Sequence, residues 1–348
     1  MKKWTDVLQV SFTYVGTVVG AGFATGQEIL QFFTRYGWMA TFTIGVSTFL
    51  FIWIGIKLMI LASEVGAKSY EGLNKLLFGD KVGGWVSLLT LISLFGVSTV
   101  MLAGSGAVFS EQLGFPHQLG LLITLALAYI LLVRGMDAIV AVNTVVVPLM
   151  GAFICLIVWQ TLGTPGAGNW LRLESDYPAA RIWFSPLLYA AFNLTMAQAV
   201  LVPLGVRVGD RNVLRWGGII GGVWIGAMLL AVHFALSAHM PGITQFDIPT
   251  GQLIHQVGPL LQLLFILVIY GEIFTTLLSD VYGVVLQLEQ RTRWPYQILL
   301  PIILCLCYFV SQVGFKTLLS SLYPLFGMLS LAWLVLMILR RNSASSAS

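Results

Sequence analysis

The sequence predicts an all-helical protein that crosses a membrane about ten times, and three observations support this prediction. Of its 348 residues, 58% are hydrophobic and only 9% are charged, whereas about a quarter of the residues in a soluble chain are charged. The apolar residues form long blocks, such as 119–133 and 260–269, rather than the stripes of amphipathic helices. Strict alternation of apolar and polar residues is absent, so helices would satisfy the backbone in lipid.

Ten apolar segments define the expected spans, each near the ~20 residues that cross a hydrocarbon core. Gly, Pro and charged residues separate them. We place them at 5–34, 38–62, 82–111, 117–134, 138–162, 180–206, 212–237, 258–286, 295–313 and 317–339. They form one predicted transmembrane domain over residues 1–342, followed by a small, polar and disordered cytoplasmic tail over 343–348.

The distribution of Lys and Arg predicts the orientation of the chain. With a cytoplasmic N-terminus, the external side receives Arg35, Arg172, Arg181 and Lys316, and Lys57 lies within the second span. All the others are internal, as the positive-inside rule requires: Lys2, Lys3, Lys68, Lys75, Lys81, Arg134, Arg207, Arg211, Arg215, Arg291, Arg293, Arg340 and Arg341. We therefore expect a multi-pass protein of a bacterial-type inner (plasma) membrane with both termini in the cytoplasm.

Composition also excludes several classes of function. The 3 Cys residues lie inside apolar blocks without the neighbouring His or Cys of a zinc site, so neither a disulfide framework nor a metal cluster is expected. A net charge of +4 does not indicate nucleic-acid binding. An enzyme is disfavoured because no nucleophile–base pair recurs at a plausible spacing. The expected partners are lipid and a small solute, and no pattern specifies an oligomeric state.

The first span contains the clearest anomaly. Gly16, Gly20, Gly22 and Gly26 crowd its middle, and each costs about 1 kcal/mol relative to alanine in a helix interior. One interpretation is a close-packing face, because small residues four apart let two helices approach. The other is an unwound segment that binds a ligand or ion. The second is favoured by the polar residues beside the glycines, which packing does not explain: Thr17, Thr25, Gln27 and Glu28.

The sixth span shows a similar disturbance. Asn193, Thr195 and Gln198 lie in mid-membrane between Pro186 and Pro203. Each disturbed span opens a set of five, so the second set must run through the membrane in the opposite sense. The sequence thus predicts an inverted 5+5 repeat, over about 5–162 and 180–339, with discontinuous first and sixth helices flanking a central site.

The eighth span supplies a polar face. Glu272, Thr275, Thr276 and Ser279 are spaced i, i+3, i+4 and i+7 and therefore share one side of a helix. One alternative is that the hydroxyl groups bond only to carbonyls of their own helix. Together with carbonyls of an unwound helix, however, they would suit a small monovalent cation. Glu272 could serve that cation or a proton.

These residues resemble a known group. Ten spans, a Gly-rich first helix, a disturbed sixth and a hydroxyl pair in the eighth resemble the LeuT-type fold of the amino acid–polyamine–organocation (APC) superfamily. The stretch 15–33, with Val-Gly-Ala-Gly-Phe-Ala-Thr-Gly-Gln-Glu-Ile, is most similar to the YkvI-like membrane proteins. The architectural resemblance covers nearly the whole chain, and the motif resemblance is specific in the first span alone.

The resemblance implies roles for particular residues. Backbone groups at Gly20, Ala21 and Gly22 would meet the polar head of a substrate, opposite Asn193 and its neighbours. Carbonyls near Gly16 and Val19, with the side chains of the hydroxyl pair in the eighth span, would bind sodium. The fifth span lacks the Lys of many proton-coupled relatives, which favours sodium. Two acids, Glu28 and Glu272, depart from the family pattern.

The sequence therefore predicts a secondary active transporter that moves an amino acid or amine by alternating access, with sodium as the coupling ion. No cofactor beyond a bound sodium ion is expected. Two alternatives remain: proton coupling on the same fold, and a ligand-sensing membrane receptor, as in spore germinant receptors that resemble the superfamily.

Overall fold

The computed structural model describes residues 2–67, 69–246, 249–254, 258–313 and 315–339. The predicted tail, with Lys68, Arg340 and Arg341, lies outside these ranges. The described chain is helical, with α1 Lys2–Val18, α2 Ala21–Ala24, α3 Gln27–Phe32, α4 Met39–Val65, α5 Tyr70–Phe78, α6 Asp80–Ala107, α7 His117–Leu132, α8 Met136–Leu162, α9 Ala179–Val208, α10 Arg211–Ser237, α11 Pro249–Ile254, α12 Pro259–Thr292, α13 Tyr296–Ser311 and α14 Phe315–Leu339.

Six of the described helices are long and apolar enough to cross a membrane, judged by length and composition: Met39–Val65, Asp80–Ser110, Met136–Leu162, Ala179–Val208, Arg211–Ser237 and Leu260–Thr292. Shorter apolar stretches accompany them in α7, over His117–Leu132, in α13, over Tyr296–Ser311, and in the second half of α14, over Leu329–Leu339. Their lengths, with a hydropathy average of +0.90 over the chain, identify a helical membrane protein.

The first predicted span is interrupted in two places. Helix α1 ends at Val18, and the chain restarts as the one-turn α2 and then α3. Between α2 and α3, Gly26 has a φ of 81°, in the left-handed region that only glycine enters without strain. Four glycines in eleven residues thus permit the chain to leave the helical path and return to it.

The sixth predicted span is not interrupted, contrary to the expectation from sequence. Helix α9 runs continuously over Ala179–Val208 with both Pro186 and Pro203 inside it. Its centre contains no glycine and is rich in Ala and Leu, which favour helix. Each proline removes one ladder hydrogen bond, and the Ser47 hydroxyl donates to the Pro186 carbonyl at 3.1 Å. The two prolines alone therefore do not unwind this helix.

Two short helices were not predicted, and they lie near opposite ends of the bundle. Helix α5 packs against α6 and α9, whereas α11 packs against α10 and α12. Ion pairs join several chain segments at the end that includes α5, namely Lys3–Asp210, Glu64–Arg211, Asp137–Arg207 and Glu71–Arg291. We call this end the charged end. The distribution of Lys and Arg predicts that the segments joined here lie on the same side of the membrane.

The central helices pack closely around the interrupted one. Helix α1 lies against α8, α9 and α10, and both α1 and α2 contact α12. Helix α4 packs along α9 and α10, and α12 packs along α6 and α8. The break in the first span is therefore surrounded by α8, α9 and α12, which carry the polar side chains described next.

Candidate functional site

The break brings the first span against the polar face of α12. A Cβ atom placed on Gly20 would lie 2.9 Å from Thr276 Oγ1, so backbone and hydroxyl group are in direct contact. Because α1 ends at Val18, carbonyl groups of its last turn lose the ladder partners that a longer helix would supply. One of them is recovered, because the buried Val19 donates its N–H to the Val15 carbonyl at 2.7 Å. The structure thus places Thr276, expected to bind the ion, beside Gly20, which was expected to meet the substrate.

A carboxyl group lies on the other side of the same break. The side chain of Glu28, which is 9% exposed, covers Gly22, and a Cβ there would lie 2.6 Å from the Glu28 carboxyl carbon. Thr25 donates its hydroxyl to the Gly22 carbonyl at 3.2 Å. Ala21 opens α2 next to these residues. Helix α2 is therefore flanked by a hydroxyl group from α12 and by an acid from α3.

Helix α8 adds a residue that was not assigned to the site from sequence. Asn143 is fully buried, and neither its Oδ1 nor its Nδ2 has a hydrogen-bond partner. It presses on Gly16, where a Cβ would lie 2.6 Å from the amide carbon. The buried hydroxyl of Thr13, one turn earlier, also lacks a partner. A buried amide left unpaired costs about 1–3 kcal/mol, so this contact requires an explanation. The sequence signal that could have identified Asn143 is its amide side chain inside an otherwise apolar span.

The polar stripe predicted on α12 is present, and two of its hydroxyl groups bond to a carbonyl of their own helix, which was the alternative to ligand binding. The hydroxyl groups of Thr275 and Thr276 donate to the Glu272 carbonyl, at 3.0 and 2.9 Å. Their oxygen lone pairs stay available, because each hydroxyl also accepts. Both carboxyl oxygens of Glu272 and the hydroxyl of Ser279 are buried without partners. The stripe therefore offers several oxygen atoms to the space beside the break.

The outer part of the first span is held by α11 and the turn before it. Thr250 donates its hydroxyl to the Ala24 carbonyl at 2.6 Å and its N–H to the Thr25 carbonyl at 3.1 Å. Gln27 donates from Nε2 to the Phe246 carbonyl at 2.7 Å. We call these three hydrogen bonds the outer clamp. Gln27, predicted to meet substrate, thus serves this clamp in the present conformation.

Helix α9 contributes fewer groups to the centre than predicted. Asn193 is 6% exposed and donates to its own helix at the Tyr189 carbonyl, at 3.0 Å. The hydroxyl of Thr195 is buried without a partner. Neither side chain has a described hydrogen bond to the broken first span.

Gln198 belongs to a different arrangement, which we call the inner network. Its Oε1 accepts from Asn74 of α5 at 3.1 Å, and its Nε2 donates to Thr90 of α6 at 3.3 Å. Asn74 also donates to Ser87 at 3.1 Å and accepts from the Trp333 indole at 3.2 Å. Gln198 therefore joins α9 directly to α5 and α6, and through Asn74 to Trp333 of α14.

Two cavities approach the centre from opposite ends. One of about 540 Å³ lies near α11 and is lined by Gln160, Thr161, Thr164, His239, Gly242, Ile243, Gln245, Phe246, Gln252 and Leu253. One of about 210 Å³ lies at the charged end and is lined by Asp6, Gln9, Val10, Val140, Leu204, Arg207 and Val208. Neither of these two cavities is lined by the residues named around the break.

The groups around the break can coordinate a small hard cation. Backbone carbonyls, hydroxyl groups, a carboxamide and a carboxylate are oxygen ligands, which alkali and alkaline-earth ions prefer. Among the described residues, no group of three or more His, Cys, Asp or Glu side chains is arranged to hold a transition metal. The donor set therefore suits a small hard cation between α1, α8 and α12.

Comparison with known proteins identifies relatives over most of the chain. The chain matches no protein-family model. It is 39% identical over 333 residues to the uncharacterized membrane protein YkvI of Bacillus subtilis (strain 168), covering 94% of this chain and 93% of that protein. It is also 24% identical over 339 residues to the uncharacterized protein YyaD of the same organism, covering 97% of each.

Solved structures show the fold. A Na⁺-coupled sialic acid symporter, in a substrate-bound outward-open state, superposes with a TM-score of 0.71 at 13% identity, covering 96% of this chain and 79% of that one. MhsT in complex with L-phenylalanine gives 0.66 at 16% identity, with coverages of 93% and 87%. The nucleobase-cation-symport-1 family transporter MHP1, in a closed conformation, gives 0.63 at 14%, with coverages of 93% and 77%. All three are LeuT-fold transporters rather than enzymes. The chain therefore belongs to the family of YkvI-like membrane proteins and has the LeuT-type fold.

Proposed function

We propose that this chain is a secondary active transporter that moves a small nitrogenous solute, an amino acid or amine, by alternating access. The observation that carries the proposal is the contact between the interrupted first span and α12, where Gly20 meets Thr276. An interrupted helix beside unpaired polar groups is the arrangement in which transporters of this architecture bind solute and ion. The outer clamp and the inner network lie on either side of it.

The proposed solute site lies along α2 and α3. Backbone groups at Gly20, Ala21 and Gly22 would receive the polar head of the solute, and Glu28 would attract an ammonium group. The substrate-binding set expected from sequence is completed by Thr25, Gln27, Asn193, Thr195 and Gln198. Of these, Thr195 has the buried unpartnered hydroxyl that a ligand would satisfy, whereas Gln27 and Gln198 would have to leave their present partners.

The proposed coupling ion is sodium. Its ligands would be the carbonyls of Gly16 and Val19, the hydroxyl groups of Thr275 and Thr276, and the carboxylate of Glu272, with Ser279 nearby. Asn143 extends this set, because its unpaired amide oxygen faces Gly16. The similarity to a symporter described as Na⁺-coupled supports this choice. A proton carried by Glu272 is the alternative.

The proposed topology is that expected from sequence: ten spans in an inverted 5+5 repeat, in the plasma membrane, with the charged end in the cytoplasm. The pairing of acidic and basic side chains at that end supports it, because the segments joined there are those assigned to one side. The cavity at the charged end would then open to the cytoplasm, and the cavity near α11 to the outside.

The test begins with identification of the solute. A thermal-shift screen of amino acids and amines, with and without sodium, is expected to yield a sodium-dependent stabilisation, because a ligand that binds the folded state alone stabilises it by mass action. The solute is then offered to proteoliposomes containing the purified chain. We expect uptake that requires an inward sodium gradient.

Thr276→Val is expected to abolish the sodium dependence while the protein stays folded. Thr144→Val is the matched control, because its exposed hydroxyl donates to the carbonyl four residues earlier, as that of Thr276 does. Uptake that keeps its full sodium dependence in Thr276→Val would contradict the ion assignment. Binding of solute without any flux from the purified chain would favour the receptor alternative.

A further inference from the structure

The cavity at the charged end lies between α1, α8 and α9 and is lined by side chains of both charge signs. Helix α1 contributes Asp6, Gln9 and Val10 to its wall, and α9 contributes Leu204 and Arg207. On each helix these residues are three or four positions apart, so they share the helical face that turns toward the cavity. None of them belongs to the site proposed around the break.

The charged and the aliphatic side chains of this cavity lie at different depths. The ion pairs at the charged end join the start of α1 to the chain just after α9, so α1 leaves this end where α9 reaches it. On α1, Asp6 lies about 6 Å nearer to the charged end than Val10, because each residue rises 1.5 Å along a helix. On α9, Arg207 lies about 4.5 Å nearer to it than Leu204. The charges therefore lie at the mouth of the cavity, about one helical turn from the aliphatic side chains.

Exposure to solvent follows the same gradient. Val10, Val140 of α8 and Leu204 are 1%, 8% and 2% exposed. By contrast, the side chain of Arg207 is 46% exposed, and Asp6 is partly exposed. The cavity thus combines an apolar, buried floor with a charged mouth that reaches water.

The charged groups at the mouth can each accept a further partner. Asp6 forms no ion pair within the part of the chain that the structure describes. Arg207 pairs with Asp137, but a guanidinium has several N–H donors, so it can bind a second carboxylate. Gln9 adds an amide that both donates and accepts. The α1 wall therefore offers a site for a cationic group, and the α9 wall a site for an anionic group.

The lining and the volume of the cavity define a class of ligand. A zwitterion satisfies both charges at the mouth, whereas a simple cation or anion meets a like charge on one wall. The floor favours an aliphatic side chain, because burial of apolar surface is favourable. The volume of about 210 Å³ equals that of about seven water molecules, which suits a solute of about seven to nine non-hydrogen atoms. An amino acid with a branched aliphatic side chain has these properties.

We propose that this cavity binds a small aliphatic amino acid, such as valine or leucine, at a site separate from the solute site along α2 and α3. Arg207 would bind the carboxylate of the ligand and Asp6 its ammonium group, with the aliphatic side chain on the floor. Only the cytoplasmic location of this site rests on the proposed function. No residue of the proposed sodium site lines the cavity, so binding here should not require sodium.

The experiment measures thermal stabilisation of the purified full-length chain by L-leucine in sodium-free buffer. Nanodiscs of phosphatidylcholine and phosphatidylglycerol are used, because the ethanolamine head group of other lipids also joins an ammonium group to an anion. Leucine is expected to raise the melting temperature saturably, since it binds the folded state. Removal of either charge, in 3-methylbutylamine or 4-methylpentanoate, is expected to weaken binding about tenfold or more, because a hydrogen bond to a charged group is lost.

Variants then locate the bound leucine. Asp6→Asn is expected to weaken sodium-free binding about tenfold, and Val140→Phe to abolish it by filling the floor. Glu64→Gln is the matched control, because it removes one negative charge from the same end, at a side chain that pairs with Arg211 outside the cavity. It should bind leucine as the wild type does. Melting temperatures without ligand report whether each variant is folded, and Val140→Phe serves as the test if Asp6→Asn is not.

Wild-type affinity for leucine in folded Asp6→Asn or Val140→Phe would overturn the site. Binding that is lost in Gly20→Ala but unchanged in Asp6→Asn would place leucine at the break, which rejects the second site and supports the proposed function. Absence of any stabilisation by leucine without sodium would also reject the second site. The sodium-dependent screen would then still test the transporter by itself.

Discussion

The first and sixth predicted spans occupy equivalent places in the proposed repeat, yet they differ in construction. The first is divided into α1, α2 and α3, and it meets Thr276 through a glycine backbone. The sixth is the continuous helix α9, which Gln198 fixes to α5 and α6 through side chains. Around the first span, Thr13 and Asn143 remain unpaired. The side chains of Thr13 and Asn143 beside the first span are thus available to a ligand, whereas Gln198 holds α9 to its neighbours.

This contrast predicts that substitutions in the two spans have different effects. A change in the first span should act on transport, because it alters backbone geometry and unpaired groups at the proposed site. A change in the inner network should act on stability, because its members are already bonded to one another. Three predictions test this division, in order of decreasing expected effect on transport, and a fourth concerns stability at the charged end.

Gly20→Ala is expected to reduce solute uptake about a hundredfold, because displacement of reacting or binding groups by about 1 Å can cost that much. The added methyl group would lie 2.9 Å from Thr276 Oγ1, and this hydroxyl could yield only by leaving the Glu272 carbonyl. Gly45→Ala is the control, because no atom lies within 4 Å of a Cβ at that position of α4. Initial rates in proteoliposomes provide the measurement. Equal rates for both variants would remove the break from the transport mechanism.

Glu28→Gln is expected to lower the uptake of cationic and zwitterionic solutes about tenfold, equivalent to about 1.4 kcal/mol. The amide keeps the shape of the side chain over Gly22 and removes its negative charge. Competition assays with charged and neutral solutes would measure the change in preference. Wild-type kinetics for every solute would return Glu28 to a structural role.

The sequence reveals some features of this fold and site better than others. The break was predictable because glycine content is a local property, and the α12 stripe because helical spacing fixes which residues share a face. The continuity of α9 was not predictable from Pro186 and Pro203, because a long helix packed on both sides tolerates isolated prolines. Contacts between distant segments, such as Asn143 with Gly16, depend on packing that no local pattern encodes. The contact between Gln198 and Asn74 also depends on such packing.

Asn74→Leu is expected to destabilise the protein by about 1–3 kcal/mol, because it leaves buried donors and acceptors unpaired. Three partners lose a bond, namely Ser87, Gln198 and Trp333. The midpoint of thermal unfolding reports the change, with Asn212→Leu as a control at an exposed position. Uptake per folded molecule should change less than in Gly20→Ala. A stable variant without transport would show that the inner network acts in the transport cycle itself.

Glu71 should add a small dependence of stability on pH at the charged end. Burial acts to raise the pKa of its carboxyl, but hydrogen bonds and charges from Arg291 and Lys75 outweigh burial and hold the pKa below its usual value. A lowered pKa contributes stability above the unfolded value of about 4.3, and this contribution is lost as the pH falls through the folded pKa. Melting temperatures between pH 7 and pH 3 should therefore fall less in Glu71→Gln than in the wild type. Melting temperatures that fall equally with pH in both proteins would contradict a lowered pKa for Glu71.

The outer clamp has a consequence for how relatives of this chain can diverge. Its three acceptors are the main-chain carbonyls of Ala24, Thr25 and Phe246, and every amino acid supplies a carbonyl. Substitutions at these three positions can therefore change the side chains beside α11 without removing the acceptors of these hydrogen bonds. The outer clamp therefore depends on the side chains of Thr250 and Gln27, and it tolerates any residue at its three acceptor positions.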